Sequence, residues 1–529
     1  MPATPPAFSI SLSHLTWSAP DGQRVVDDLT LDFGRERTGL VGRNGVGKST
    51  LLKLVAGQLI PAKGTVTVHG SIAAMRQIVQ IEPGETLADL LGVAGDLALL
   101  RRAEAGTATL DELDAADWSL GARVEEALAQ MGLAAPPETP LAHLSGGQRT
   151  RAALAGMLLA RPDFMLLDEP TNDLDRDGRR AVIQMLRGWR AGAVVVSHDR
   201  ELLEEMDAIV ELTKLGAARF GGNWSHYRER KAIELAGARH DLAVAERARS
   251  EAARKAQVTA ERQQRRDAAG SRNAARGGMP RILMGARRER AQNSGAGNVR
   301  LAERQRGEVD RAVEQARERI ERTPPLAIAV ASTGLAPSQR LLTLEHVTAG
   351  YGGAPVLRDV SLTMVGPERV AIIGANGSGK STLLRVVAGE LAPLAGRATR
   401  HVAFAMLDQR VSLLDRAATL AENFGRINPG VSGNACRAAL ARFGFRAGGG
   451  DRLAATLSGG QMLRAALACA LGNPAPPPLL ILDEPTNHLD IDTVAALEAA
   501  LAAYDGGLLV VSHDARFLQN IGVTREIAL

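Results

Sequence analysis

Cysteine is nearly absent from this 529-residue chain, which holds only Cys436 and Cys469. Two thiols exclude a disulfide framework or a cysteine-ligated cluster, suit a reducing compartment, and read as small buried side chains in helical stretches. Long apolar runs are missing too. The longest are strand-length and broken by charge or glycine, so no transmembrane helix and no membrane insertion are expected. The opening MPATPPAFSISL lacks the basic and then apolar pattern of a secretory signal, and a cytoplasmic location is the expectation.

A chain of this length, 45% hydrophobic, buries more than one core and divides into at least two domains. Its net charge of +4 conceals an uneven distribution. Between Ser225 and Arg322 there are 24 Lys and Arg against 14 Asp and Glu, an excess of +10 that leaves the remainder at −6. Basic character is therefore concentrated in one internal segment.

The flanking halves repeat each other motif by motif. GRNGVGKST at Gly42 to Thr50 returns as GANGSGKST at Gly374 to Thr382, LSGGQ at Leu144 to Gln148 returns at Leu457 to Gln461, and FMLLDEPTNDLD at Phe164 to Asp175 returns as LLILDEPTNHLD at Leu479 to Asp490. A VVSHD strand end follows in each half, carrying His198 and His513. Shared order at this length makes chance a poor explanation.

Each motif has a physical role. The apolar strand RVAIIG runs into its Gly-rich loop and then into the helix STLLRVVAGE, the context a phosphate loop requires. Gly42, Gly45 and Gly47, and Gly374, Gly377 and Gly379, let backbone N–H groups curl around phosphate oxygens without a Cβ in the way. Arg43, Asn44, Val46 and Thr50, and Ala375, Asn376, Ser378 and Thr382, complete the two loops. Lys48 and Lys380 add a point charge on β- and γ-phosphates, and Ser49 and Ser381 present a hydroxyl to Mg²⁺. Asp168 and Asp483 end apolar strands and are candidates to hold Mg²⁺ through water. The adjacent Glu169 and Glu484 are placed to take a proton from attacking water, and His198 and His513 to orient it at the γ-phosphate. Gln77 and Gln409 follow short apolar strands as further candidates for the metal or its water. Ser145, Gly146, Gly147 and Gln148, like Ser458, Gly459, Gly460 and Gln461, are Gly-rich turns that open helices and present amides to an anion. Tyr351 lies upstream of its loop as an aromatic to stack on adenine, with Trp17 the nearest counterpart in the first half.

The uninterrupted EPTN extension in both halves, on one chain with an intervening segment of about a hundred residues, resembles the ABC-F family of ribosome-associated ATPases over essentially the whole chain. FGGNWSHYRERK at Phe220 to Lys231 is similar to that family's GNYSxY lead into its linker. The resemblance implies an α/β fold of two P-loop ABC-type ATP-binding cassettes in tandem, at residues 1–222 and 326–529, joined by a helical hairpin linker at 223–325. It also implies that each LSGGQ turn completes the site of the opposite cassette. Lys48 and Glu169 would then face Ser458 and Gly460, and Lys380 and Glu484 would face Ser145 and Gly147, giving a monomer with an intramolecular cassette dimer and two ATP sites. The implied partner is the ribosome, with the linker in its E site near 23S rRNA, P-site tRNA and the peptidyl-transferase centre.

Composition points to an RNA partner on its own terms. From about His226 to Asp267, and again from Asn298 to Arg322, the chain is helix-forming; the first helix would extend roughly 60 Å. Nine Arg stand against Asp267 and Glu289 between Arg262 and Arg290, and guanidinium groups pair with phosphate and stack on bases. A fused ATPase subunit of a membrane importer, the competing reading, predicts a short linker. Cassette ATPases of DNA repair or chromosome structure require cysteine-ligated zinc or far longer coiled coils. Three departures from the family pattern stand out. Asp173 occupies the place of His488, the first half is about nineteen residues longer between Gln77 and Leu144 than the second between Gln409 and Leu457, and the chain stops at Leu529 soon after its last motif.

Overall fold

The computed structural model describes residues 8–75, 81–213, 216–275, 307, 310–311, 314, 330–446, 448–487 and 489–529. In the first half, FMLLD at Phe164–Asp168 and GAVVV at Gly192–Val196 are continuous apolar runs, as parallel strands covered on both faces must be. They lie in a sheet ordered Ile72–Ala74, Phe164–Asp168, Gly192–Val196, Arg37–Val41, Ala208–Thr213, all parallel, with Gly216–Gly221 added antiparallel at the far edge. The second half repeats the order with Phe404–Leu407, Leu479–Asp483, Gly507–Val511, Arg369–Ile373 and Arg525–Ala528. This order sets the strand that feeds each phosphate loop beside the strand ending in VVSHD, and that strand beside the one ending in Asp168 or Asp483. Three motifs thus meet at the carboxyl edge, where doubly wound sheets bind ligands.

A three-stranded antiparallel sheet accompanies each parallel one, Arg24–Phe33, Ser9–Ser18 and Lys63–His69 in the first half and Ala354–Val365, Arg340–Tyr351 and Ala395–Arg400 in the second. Both central strands are bulged at a histidine. His14 and Asp28 have left-handed backbones and lie 2.7 Å apart, Nδ1 to Oδ1; His346 and Asp359 repeat this at 2.7 Å. Each half buries two apolar clusters, one on either side of its parallel sheet. Phe33, Leu40, Leu51 and Phe164 fill the side of the antiparallel sheet and the helix Lys48–Val55, whereas Leu128, Leu154, Met165 and Val195 join the sheet to the helical part. The extra length of the first half folds as two short helices, Ala94–Glu104 and Leu110–Ala115, with no counterpart among the described residues of the second.

The two cassettes pack as one compact unit that includes Trp224–Tyr227, and residues 228–325 form a second unit. Trp224 and Tyr227 are buried, with Tyr227 edge-on to Phe220 at 5.0 Å, so the first helical turn after Gly222 is anchored in cassette packing. That helix runs Trp224–Ala275, 52 residues or about 78 Å, longer at both ends than His226 to Asp267. In the second expected linker helix, Gly307, Asp310, Arg311 and Glu314 are helical; the Gly- and Arg-rich stretch 276–306 lies outside the described residues. Among the described residues, no helix is long and apolar enough to cross a membrane.

Candidate active site

The phosphate loops owe their shape to glycine. Gly42 (φ 153°) and Gly374 (φ 156°) approach backbone so closely that a Cβ would lie 2.4 Å from the Leu212 carbonyl or 2.7 Å from that of Leu529. Gly47 and Gly379, both left-handed, cap the helices Lys48–Val55 and Lys380–Ala388. Gly45 and Gly377, also at positive φ, face open space, as residues lining a cradle should. Arg43, Asn44, Gly45 and Ser49 in one loop, and Ala375, Asn376, Gly377 and Ser381 in the other, are exposed at the mouth. Val46 is buried beneath the first loop; at the matching place Ser378 keeps a buried hydroxyl with no hydrogen-bond partner. Thr50 is half-buried and Thr382 buried. Lys48 Nζ donates to the Gly42 and Arg43 carbonyls at 2.7 and 3.3 Å, Lys380 Nζ to those of Gly374 and Ala375 at 2.8 and 2.9 Å. Burial lowers the pKa of both amines.

Opposite each lysine stands an acidic pair. Glu169 and Glu484 have left-handed φ of 49° and 46°, a strain that non-glycine residues keep where the surroundings impose it. Their amides donate to Val196 and Val511 carbonyls at 2.9 Å in both cases, which turns the side chains toward the strand-end histidines. Glu169 lies 3.3 Å from His198 Nε2 and Glu484 3.4 Å from His513 Nε2. Burial raises the Glu169 carboxyl well above the carboxylate range and pushes Glu484 up to about 7. It also lowers His198 to about 3 and His513 to about 4, so both imidazoles are neutral and able to act as donor or acceptor. Asp483 is raised by burial against a hydrogen bond with Ser381. Asp483 Oδ1, both Glu484 oxygens and both His198 ring nitrogens are buried without a hydrogen-bond partner in a protein that otherwise satisfies most such groups. Unpaired acceptors beside a glycine cradle and a lysine fit a magnesium nucleotide.

Ser145 and Ser458 cap the helices Gly146–Ala160 and Gly459–Leu471, and Gln148 and Gln461 close each capping box from the third helical position. Their side chains thus accept from Ser145 N at 2.8 Å and Ser458 N at 3.2 Å, a structural duty that sequence reasoning did not assign them. Gly146 and Gly459 face open space; Gly147 and Gly460 are buried. A Cβ on Gly147 would come within 3.7 Å of the Asn376 side-chain amide in the other cassette, and Arg464, in the helix opened by Ser458, feels the charge of Arg43.

Asp175 and Asp490 were not singled out by motif, yet they bind the halves. Asn44 N donates to Asp490 Oδ2 at 3.2 Å and Asn376 N to Asp175 Oδ2 at 3.4 Å, while the Asn376 side chain donates to the Asp173 carbonyl at 2.9 Å. The buried pair Arg200 and Glu498, at 2.8 Å, adds a further link. The readable signal was an aspartate just before each helix, in a capping position.

Other expected residues fare differently. Tyr351 is exposed and its hydroxyl takes a hydrogen bond from Arg385 Nη1 at 2.9 Å. Trp17 pairs with Val26 and packs against the first core, three residues beyond the bulged His14, whereas Tyr351 lies five beyond His346. The two aromatics are not register equivalents. Gln409 is exposed just past its strand, and the neighbouring Asp408 acts on Asp483. Gln77 and His488 lie outside the described residues.

Residues 26–172 and 357–487 match the family described as ABC transporter. The chain is 33% identical to the tylosin resistance ATP-binding protein TlrC of Streptomyces fradiae over 97% of its own length and 96% of that protein's. It is an ABC-F ATPase. This ABC-F chain is likewise 31% identical to the energy-dependent translational throttle protein EttA of Mycobacterium tuberculosis strain H37Rv, over 93% of its length and 87% of EttA's. Its fold is similar to that of a solved RNase-L inhibitor, with a TM-score of 0.58 at 20% identity across 95% of this chain and 85% of that one. The two cassettes bind and hydrolyse ATP.

Proposed function

We propose that the protein is a cytoplasmic ribosome-associated ATPase, a translation factor or a ribosomal protection protein, that occupies the ribosome with ATP bound and leaves on hydrolysis. The observation that carries this reading is a complete repeated set of site residues, opposed across one cassette interface, on a chain whose length is matched almost throughout by TlrC and EttA. Glu169 and Glu484 act as general bases oriented by His198 and His513. Lys48 and Lys380, with the two loops, bind the phosphates, and Ser458 with Gly460 or Ser145 with Gly147 closes each site from the opposite cassette. Ser49, Gln77 and Asp168, and Ser381, Gln409 and Asp483, would hold Mg²⁺, which supplies charge neutralisation at β- and γ-phosphate oxygens. Tyr351 stacks on adenine in its site, a role for which Trp17 is less well placed. The linker, residues 226–322, contacts 23S rRNA and P-site tRNA from the E site.

The test is co-sedimentation of the Glu169→Gln, Glu484→Gln variant with ribosomes, with and without ATP and across a salt series. Pelleting that requires ATP, weakens with salt and disappears when Arg262 to Arg290 is replaced by Gly and Ser supports the reading. No pelleting under any condition sinks it.

A further inference from the structure

The two β-hairpins that precede the phosphate loops correspond residue by residue. Gly47 lies against Val25 and Val26 just as Gly379 lies against Val356 and Leu357, so Val26 and Leu357 occupy the same place. Trp17 pairs with Val26 and Ala349 with Leu357; Ser18 pairs with Arg24 and Gly350 with Pro355. One step further, Ala19 N donates to the Gln23 carbonyl at 2.9 Å, and Tyr351 pairs with Ala354. Ala19 is therefore the register equivalent of Tyr351, and each stands five residues beyond its bulged histidine.

This exchange removes both a ring and its support. The Tyr351 hydroxyl accepts from Arg385 Nη1 at 2.9 Å, and Arg385 belongs to the helix Lys380–Ala388 that opens at the phosphate loop. The ring is thus tied to the loop it serves while remaining 47% exposed. In the first half the matching helix position is Lys53, Ala19 offers only a methyl group, and the hairpin tip from Ser18 to Gln23 reads SAPDGQ, without an aromatic. Trp17 does not substitute, because it packs against the first core. A cavity of about 240 Å³ between that hairpin and the phosphate loop is lined by Gln23, Arg24 and Val25 with Gly45 and Val46, and no described residue in its lining is aromatic. Its Arg24 is engaged by Asp27 at 3.1 Å. The phosphate loops, by contrast, match: Lys48 and Lys380 donate to equivalent carbonyls, and Asn44 N and Asn376 N to equivalent aspartates across the interface.

We propose that the two ATP sites load unequally. Tyr351 gives the site of Lys380 a stacking surface for the base and hence the higher affinity, whereas the site of Lys48 holds a nucleoside triphosphate through its phosphates, more weakly and without regard to the base. This rests on the reading of Tyr351 as the residue that stacks on adenine. Stacking on an aromatic side chain changes affinity by roughly five- to a hundredfold, enough to separate two sites that are otherwise alike. The weaker site then sets the ATP concentration at which the doubly loaded protein is reached.

The experiment is equilibrium dialysis of the full chain with Mg²⁺ and labelled AMP-PNP, which is not hydrolysed, and then with its uridine counterpart, because a pyrimidine offers a smaller face than adenine. Two nucleotides per chain are expected, in classes about tenfold apart, with the uridine analogue equal to AMP-PNP at the weak class and about fivefold behind at the tight one. Tyr351→Ala should weaken the tight class about tenfold and leave the weak one unchanged, and Tyr351→Phe, which keeps the ring, should retain most of the tight binding. Lys48→Ala should remove the weak class alone. A single class in the unmodified protein, equal discrimination against uridine at both classes, or loss of the tight class in Lys48→Ala overturns the proposal. A tight class unmoved by Tyr351→Ala, or weakened as much by Tyr351→Phe, sinks the stacking reading itself, with two unequal classes still present.

Discussion

Asp490 holds two elements of different cassettes with one carboxylate: Oδ1 accepts from Thr493 N at 2.9 Å to cap its own helix, and Oδ2 accepts from Asn44 N at 3.2 Å in the opposite phosphate loop. Asp175 repeats the arrangement with Gly178 N at 3.0 Å and Asn376 N at 3.4 Å. The helix following each of the strands Phe164–Asp168 and Leu479–Asp483 is thereby indexed against the glycine-rich loop across the interface. Replacing Asp490 by Ala removes a cap worth about 1 kcal/mol and the cross-cassette bond together. Asp490→Ser restores the cap but is too short for both partners. Thermal stability should therefore recover in the serine variant while ATPase activity stays reduced; equal recovery of both would show that the capping function alone matters.

Glu169 and Glu484 offer a more direct test. Each lies beside a neutral histidine, Glu484 buried and Glu169 half-buried, and removing its basicity while keeping its size should abolish proton abstraction without opening a cavity. Glu169→Gln with Glu484→Gln should lower kcat by about a hundred- to ten-thousand-fold, with ATP still bound. Retained turnover would transfer the base function to another group.

Cys469 is fully buried, and burial pushes its thiol up to about 12. Thiolate is the nucleophile in alkylation, so a maleimide should leave Cys469 unmodified in the folded protein and label it after denaturation. Cys436, also buried and raised, should follow. Labelling of Cys469 within minutes under native conditions would show that the helix Gly459–Leu471 opens readily.

The residues that touch nucleotide phosphates in the proposed sites were legible because glycine, lysine and carboxylate are each chemically required at fixed spacings along one strand–loop–helix. What escaped notice depends on the other half of the molecule. Asp175 and Asp490 look like ordinary helix caps until the opposite loop is beside them. Gln148 and Gln461 carry a second duty that their motif position did not announce, since their side chains close the capping boxes of the helices they begin. Trp17 was misplaced relative to Tyr351 because the nearest aromatic was taken as the counterpart, although it stands three residues beyond the bulged His14 and Tyr351 five beyond the equivalent His346. The linker helix outran its reading at both ends of its described span: Trp224 is fixed by packing on Tyr227, which in turn meets Phe220, and helix continues past Asp267 to at least Ala275.

Glu204 joins the second cassette to the start of the linker helix. Its Oε1 accepts from Arg516 Nη2 at 2.9 Å and from Ser225 Oγ at 2.6 Å, and Oε2 from Ser225 N at 3.3 Å. Burial works to raise its pKa, but these hydrogen bonds and the arginine charge outweigh it and the folded value is lowered. A depressed carboxyl contributes stability that is present above its unfolded pKa, about 4.3, and is lost as pH falls through the lower folded value. Glu204→Gln should therefore lower Tm at neutral pH and narrow its gap from the unmodified protein as the medium is acidified below pH about 4. Arg516→Ala should reproduce part of the neutral-pH loss. Because Ser225 stands in the first turn of the long helix, both variants should also speed hydrogen exchange at Trp224 to Tyr227. Unchanged exchange there, with Tm lowered, would confine Glu204 to the cassette interface and leave the helix base held by Trp224 and Tyr227 alone.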